Sequence, residues 1–374
     1  MDFSLNKNKY DYLIIGCGLF GSTFARLATD AGKSCLIIDK RNHIAGNCYT
    51  EKVEGINVHK YGPHIFHTSN QKVWEFVNKF SNFNNYINSP KAFSKGKLYS
   101  LPFNMNTFYE IWGTTIPHNA KSIIDMQRFS GHPKNLEEQA LSLVGRDVYN
   151  LLIKEYTEKQ WGKKATDLPQ FIIKRIPLRF TFDNNYFDDK YQGVPIGGYT
   201  KLFENMLNGI EVKLNVDYFK NREYFNNLSH KVVYTGCIDE FFDYEFGKLE
   251  YRSLKFKNKI IDRENYQGNA IINYCDYNIP YTRIMEHKHF EKVKSQKTII
   301  TFEYPIKYSE NTIPYYPIND SKNQEIYKKY QEKIKSLTNF IFGGRLSEYK
   351  YMDMHVTIES AMNKFNQCNL SSLL

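Results

Sequence analysis

Tyr12-Leu13-Ile14-Ile15-Gly16-Cys17-Gly18-Leu19-Phe20-Gly21 joins a short apolar run to three glycines spaced G-x-G-x-x-G. Ser22 to Ala31 then has helical character and stops at Gly32, and Ser34-Cys35-Leu36-Ile37-Ile38 is a second apolar run that ends at Asp39. Strand, glycine turn, helix, strand and acid within about thirty residues is the pattern of a dinucleotide-binding βαβ unit. Gly16 permits the tight turn, Gly18 lets a pyrophosphate approach the backbone, and Gly21 lets the helix pack close to the strand. The helix N-terminus offers free N–H groups to the phosphates, and Asp39 stands where a carboxylate accepts hydrogen bonds from ribose hydroxyls. The glycines do not separate NAD from FAD. Arg41-Asn42-His43-Ile44-Ala45-Gly46-Asn47 follows the acid almost directly, and an arginine two residues past it with a Gly-Asn turn beyond suits an extended FAD.

The rest of the chain bounds this reading. Its 374 residues predict two to three domains and are ample for a hydrophobic core without disulfide or metal staples. Hydrophobic residues at 41% and charged residues at 24% exclude a largely disordered chain. Fifty Lys+Arg against forty Asp+Glu leave a formal charge of +10. The positives are dispersed, which argues against a basic nucleic-acid tail and leaves room for a basic groove around a phosphorylated small molecule. Six cysteines without a C-x-x-C pair make neither a disulfide framework nor a zinc site. Met1 to Lys9 lacks the features of a signal peptide, and no apolar run reaches the roughly 18–20 residues that span a bilayer. A soluble cytoplasmic protein is expected.

Further clusters suggest a pocket. Tyr61-Gly62-Pro63-His64-Ile65-Phe66-His67-Thr68 sets two histidines three apart. Without evident further ligands a metal site is disfavoured, and either a backbone-bonded turn or a cofactor- or substrate-facing turn fits. Asn104 to Arg179 is helical in pattern, with apolar residues three and four apart between Leu136 and Trp161. Arg175, in Ile172-Ile173-Lys174-Arg175-Ile176-Pro177, is either a desolvated anion contact or a surface salt bridge. Tyr156 and Trp161 either stack on a base or fill the core. A further helix is expected near Lys201 to Leu207. Runs at Ile210–Leu214, Lys231–Tyr234, Leu249–Phe256, Asn269–Tyr274 and Thr298–Phe302 alternate with turn signals such as Lys257-Asn258-Lys259, as a mostly antiparallel sheet would. Phe340-Ile341-Phe342-Gly343-Gly344-Arg345 predicts a buried strand that returns to the dinucleotide unit.

Taken together, these stretches closely resemble the bacterial UDP-galactopyranose mutases over essentially the whole chain. The matching blocks include the Gly16 fingerprint, Arg41 to Asn47, Tyr61 to Thr68, Tyr156 to Gly162 and Ile173 to Pro177. They continue with Asp183 to Phe187, Tyr191 to Gly193, Tyr281-Thr282-Arg283, Gly343-Gly344-Arg345 and Tyr351 to Met354. The resemblance implies an α/β fold: a discontinuous FAD-binding Rossmann-like domain (1–82, 203–245 and 338–374), a helical substrate domain (104–182) and an antiparallel β-sheet domain (83–103, 183–202 and 246–337). It implies interconversion of UDP-galactopyranose and UDP-galactofuranose, with no net redox change, through a covalent adduct of the anomeric carbon with N5 of reduced FAD. An external reductant for the flavin and a homodimer are implied as well, as is a mobile loop between Gly162 and Pro177.

Residue roles carry over by position. Gly16, Gly18, Phe20, Gly21, Asp39 and Lys40 would meet FAD, as would Arg41, Gly46 and Asn47. His64, His67 and Arg345 would lie near the isoalloxazine, with Tyr351, Asp353 and Met354 completing the cofactor contacts. Arg175 and Arg283 would clamp the diphosphate with fork-shaped, charge-assisted bonds, and with His67 they are the catalytic candidates. Tyr186, Tyr316 and Tyr351 would donate phenolic hydroxyls to the phosphates, the Tyr315-Tyr316 pair leaving two registers open. Tyr156 would sit at the uracil, Trp161 beside the sugar, and Asn88 at the sugar or phosphate. Three positions depart from the family: Ala45 replaces a usual second glycine, Cys237 a common proline, and Leu152 an aromatic that in some members packs on uracil. Related mutases accept UDP-N-acetylgalactosamine or deoxysugar nucleotides. An FAD-dependent oxidase or dehydrogenase, or a nucleotide-sugar-binding protein with a decayed flavin site, are the competing readings.

Overall fold

Apolar residues on both faces of a strand require cover on both sides, and Tyr12, Leu13 and Ile14 are all buried. In the computed structural model, which describes residues 9–173 and 177–371 (the backbone alone for 369–371), they lie in a five-stranded parallel sheet. Its strands are β1 (Tyr10–Ile15), β2 (Cys35–Asp39), β9 (Glu211–Leu214), β10 (Ser229–Tyr234) and β16 (Phe340–Phe342), in the order β16-β10-β1-β2-β9. Tyr12 and Ile14 pack against helix α1 (Leu19–Asp30) and the C-terminal helix (Met354–Ser371), sharing a core with Phe24 and Phe365. Leu13 faces the opposite layer with Tyr234, Phe241 and Tyr330. The C-terminal strand thus rejoins the first unit, as Phe340 to Arg345 predicts. The Ile210–Leu214 and Lys231–Tyr234 runs also belong to this parallel sheet, because their neighbours are β2 and β1.

A seven-stranded, mostly antiparallel sheet supplies the second layer. It comprises β6 (Lys91–Ser94), β7 (Lys97–Ser100), β11 (Tyr251–Ile261), β12 (Ile271–Tyr274), β13 (Arg283–Glu286), β14 (Thr298–Lys307) and β15 (Tyr316–Pro317), in the order β15-β11-β14-β13-β12-β6-β7. Only β12 and β6 run parallel. Lys257-Asn258-Lys259 is no turn here. All three pair with β14, opposite Phe302, Thr301 and Ile300, and their exposed side chains make a strand look like a loop in the sequence. Two short pairs, β3 (Thr50–Val53) with β4 (Ile56–His59) and β5 (Phe66–Thr68) with β8 (Tyr191–Gly193), bridge the layers.

Four helices pack around a separate apolar cluster that includes Phe108, Ile124, Leu136 and Val148. They are α3 (Met105–Trp112), α4 (Pro117–Gln127), α5 (Leu136–Val148) and α6 (Lys154–Trp161), preceded in the chain by α2 (Gln71–Asn78). Asn104 caps α3 in a reciprocal capping box with Thr107, and Asn135 caps α5. The helical spacing from Leu136 to Trp161 is interrupted twice: Gly145 takes φ 76°, and a wider turn at Tyr149–Ile153 separates α5 from α6. Gly162, at φ 64°, ends α6 in the left-handed conformation that glycine favours. Among the described residues no helix is long and apolar enough to cross a membrane.

Candidate active site

A single cavity of about 1990 Å³ runs from the C-terminal ends of the parallel strands to the antiparallel sheet and α6. A pocket for one small ligand measures roughly 300–1,000 Å³, so this volume suits two ligands side by side. Its lining contains every residue expected at the site except Arg175, which lies outside the described residues.

At the parallel sheet the glycine turn has no spare space. A methyl on Gly16, whose φ is +108°, would stand 2.1 Å from Thr235 Oγ1, and one on Gly21 2.1 Å from the Gly16 carbonyl oxygen. Gly18, by contrast, faces open space and precedes α1 with no side-chain cap, so the first N–H groups of that helix are available to a ligand. Asp39 is fixed by two backbone donors: Cys17 N gives to Oδ2 at 2.7 Å and Arg41 N to Oδ1 at 2.9 Å. Arg41 donates to Asn47 Oδ1 at 2.9 Å and lies 4.7 Å over the Tyr61 ring, which leaves its Nη1 buried without a partner. Arg345 donates to the Tyr315 carbonyl and likewise keeps a buried Nε without a partner. A desolvated donor is costly unless something accepts from it. Two guanidinium groups lining one cavity beside a glycine cradle fit a ligand rich in acceptors, such as a dinucleotide pyrophosphate or the carbonyls of a flavin ring. Ala45 sits at φ 70°, which explains why glycine is the easier residue there.

The Tyr61–Thr68 turn is more elaborate than its two histidines suggest. His64 donates from Nδ1 to the Gly62 carbonyl at 2.8 Å, leaving Nε2 of the neutral ring as an acceptor. Its backbone N–H gives to His59 Nδ1 at 3.0 Å, and the His59 N–H gives to His287 Nδ1 at 3.2 Å. His59 and His287 are each 1% exposed, and neither was evident as a site neighbour in the sequence. Burial pulls all three below the usual range, His64 to about 4 and His287 to about 3. Neutral in the fold but protonated in the unfolded chain below pH ~6.5, such histidines cost stability as pH falls, by at most about 2 kcal/mol each at pH 5. The melting temperature is expected to fall as pH drops from 6.5 to 5; a flat profile over that interval would contradict this. His67 is held differently, with Nδ1 2.6 Å from Asp189 Oδ2 and its ring stacked on Phe187 at 3.8 Å. Burial works against the charge on Asp189, but bonds from His67 and Ser69 outweigh it and keep the carboxyl below its ordinary value.

At the far end Arg283 opens β13, where the register sets it opposite Glu303 of β14. Its Nε lies 2.9 Å from Glu303 Oε1, and its Nη2 3.4 Å from the Tyr156 hydroxyl. Burial opposes the charge on Arg283, yet Glu303, which is 1% exposed, more than offsets it, so the guanidinium stays protonated. Glu303 was missed in the sequence because the strand was expected to end at Phe302. Burial pushes the Tyr156 phenol up to about 12 and raises Tyr186 and Tyr316 too, so all three are neutral O–H groups at pH 7. Trp161, Tyr316 and Tyr351 form an aromatic belt with ring centroids 6.1 and 5.8 Å apart. Tyr315 is buried beneath it against Phe256 at 5.8 Å. The Oδ1 atoms of Asn88 and Asn273 are buried without partners on the same wall. Leu152 packs in the helical core instead, and at α6 the wall is Tyr156, Gln160 and Trp161.

The glycine-turn βαβ unit defines a Rossmann-like α/β protein, and the compartment around Arg283 sets a charged guanidinium at the other end of its cavity. Family models match accordingly: an NAD(P)-binding Rossmann-like domain over residues 14–80 and UDP-galactopyranose mutase over residues 151–351. The chain is 42% identical to a dTDP-fucopyranose mutase of Escherichia coli, over 94% of this chain and 96% of that one. It is 39% identical to a probable UDP-galactopyranose mutase of Klebsiella pneumoniae, over 95% and 94%. A crystal structure of reduced UDP-galactopyranose mutase has the same fold, with a TM-score of 0.73 at 13% identity over 98% of this chain and 94% of that one. The chain belongs to the UDP-galactopyranose mutase family.

Proposed function

We propose that the protein interconverts the pyranose and furanose forms of a nucleoside-diphosphate sugar, with FAD as its cofactor. The sugar is galactose or its 6-deoxy relative, since relatives of nearly equal similarity are named for each. The observation that carries this reading is the continuity of the cavity, with an acceptor-seeking glycine cradle at one end and a largely buried, charged Arg283 among neutral phenols at the other.

Gly16, Gly18 and Gly21 with α1, Asp39, Arg41 and Arg345 would hold the FAD. Bound and reduced, FAD supplies the nucleophile for the anomeric carbon. The remaining work falls to this chain. When the anomeric C–O bond breaks, the nucleoside diphosphate gains charge and must be kept until it returns. Arg283 meets that charge in a site where few waters compete, and the hydroxyls of Tyr186, Tyr316 and Tyr351 add neutral donors. Arg175 would be a second cation. Tyr316 is the better candidate of the Tyr315-Tyr316 pair, because it lies in the belt with Trp161 and Tyr351. Tyr156 offers a face to the base, and Asn88 and Asn273 offer acceptors to sugar hydroxyls or the base. His67, oriented by Asp189, orders the turn that carries His64. The division into FAD-binding, helical and sheet domains, with one cavity wall from each, belongs to the same proposal. A cationic amine substrate would be repelled by the charged Arg283, which disfavours an amine oxidase.

The purified protein is expected to carry flavin absorbance and to bind UDP or dTDP more tightly than the corresponding monophosphate. Colourless protein that takes up no added FAD would overturn the reading.

A further inference from the structure

α6 presents Tyr156 and Trp161 to the cavity, and β13 presents Arg283. The two elements are far apart in the chain, yet the Tyr156 hydroxyl and the Arg283 guanidinium come within 3.4 Å. Lys159, one helical turn beyond Tyr156, reaches out of α6 into the loop between β12 and β13. Its Nζ donates to the carbonyl of Tyr274 at 2.7 Å and to those of Asp276, Ile279 and Tyr281 at 3.0 Å each. An ammonium has three protons, so four converging carbonyls take the place of its water shell. Without the cation these oxygens would lose their common donor, the Asp276 carbonyl alone keeping a loop bond, from Ile279 N at 3.2 Å.

The same helix is tied at two other points. Tyr277 N gives to Glu155 Oε2 at 2.7 Å, and Arg252 of β11 gives to the Gln160 carbonyl at 3.0 Å, at the helix C-terminus where a cation is favourable. Lys95, from the β6–β7 turn, pairs with both Glu155 (3.1 Å) and Asp276 (3.3 Å). Of these ties, Lys159 alone grips the loop on both sides of its tip, ending two residues before Arg283.

We propose that Lys159 is a positioning residue of the substrate compartment: it locks the loop that leads into Arg283 onto α6, and so fixes the diphosphate-binding cation against Tyr156 and Trp161. This rests on the function proposed above. Catalytic geometry is sensitive to shifts of this kind, a displacement of about 1 Å costing on the order of a hundredfold. Burial lowers the Lys159 ammonium to about 8, with Cys275, Asp276 and Glu155 partly opposing, so the lock weakens in mildly alkaline solution. Lys95 also faces this cluster.

The test compares Lys159→Met and Lys159→Arg with the wild type in flavin content, affinity for UDP and dTDP, kcat and KM, and amide hydrogen exchange over residues 274–282. Lys159→Met should retain flavin, bind the nucleotide at least tenfold more weakly, raise KM, lower kcat and lose protection in the loop. Lys159→Arg, which keeps the charge without the compact geometry, should recover part of the affinity. A flavin-loaded Lys159→Met with wild-type nucleotide affinity and turnover would overturn the proposal. Should that variant not fold, Lys159→Gln, which keeps an amide donor, decides: with flavin bound it should show weaker nucleotide affinity and lost protection over residues 274–282. Wild-type values of both would overturn the proposal. A wild type that binds neither nucleotide at pH 7 overturns the proposed function, and this positioning role with it.

Discussion

Arg283→Ala is expected to lower kcat/KM by roughly 30- to 5000-fold while the flavin stays in place, since truncating a buried, charge-assisted contact costs about 2–5 kcal/mol. The residue stands at the end of the cavity away from the glycine turn, so cofactor binding should be spared. Stability should not be. Glu303 is almost fully buried and ion-paired to Arg283, and removing one partner of such a pair leaves an uncompensated charge worth about 3–5 kcal/mol. The two effects separate in the double variant Arg283→Ala/Glu303→Gln, which should regain most of the lost melting temperature and none of the lost turnover. Full activity in the single variant would remove Arg283 from the site, and recovery of turnover in the double variant would reduce its role to balancing Glu303.

The glycines of the first turn should divide into two classes, with the largest effect at Gly21. Its substitution by alanine places a methyl 2.1 Å from the Gly16 carbonyl oxygen and 2.9 Å from the buried Ile14 side chain. Neither the strand nor α1 can retreat without opening the buried layer around Phe24, so Gly21→Ala should cost several kcal/mol, beyond the ~1–3 kcal/mol of ordinary overpacking. Little folded protein is expected. Gly18→Ala meets no neighbour within 4 Å and has an ordinary φ of −82°. If a pyrophosphate passes over that position, this variant folds with a near-normal melting temperature once FAD-free forms are compared, but is purified largely colourless. Wild-type flavin content in Gly18→Ala would move the cofactor away from the turn, and a stable Gly21→Ala would refute the tight packing.

What was legible in the sequence depended on how far apart the cooperating residues lie. The βαβ unit is local: three glycines, two apolar runs and Asp39 lie within one stretch, and the strands, the helix and the turn between them form where the pattern predicts. Arg283 and Tyr156 were legible only as members of ordered blocks resembling a family, since nothing in Tyr281-Thr282-Arg283 alone reveals burial. Glu303 became visible only with the register of β13 against β14. Lys159 lies inside a block quoted for the resemblance, yet its role depends on carbonyls 115 to 122 residues away. Backbone acceptors have no sequence signature. The same limit explains Lys257-Asn258-Lys259, where a solvent-facing strand carries the residues of a loop, and His59 and His287, whose contacts arise from packing between layers.

On the function proposed here, a reduced cofactor and a retained diphosphate together let a sugar change its ring size. The direct measurement is to incubate the protein, oxidised or reduced with dithionite, with the pyranose and furanose forms of UDP-galactose and of dTDP-fucose, and to resolve the ring forms of the products. The reduced protein should interconvert at least one pair and the oxidised protein none, without net oxidation of the sugar. Interconversion indifferent to reduction, or none with either pair while flavin is bound, would contradict that function.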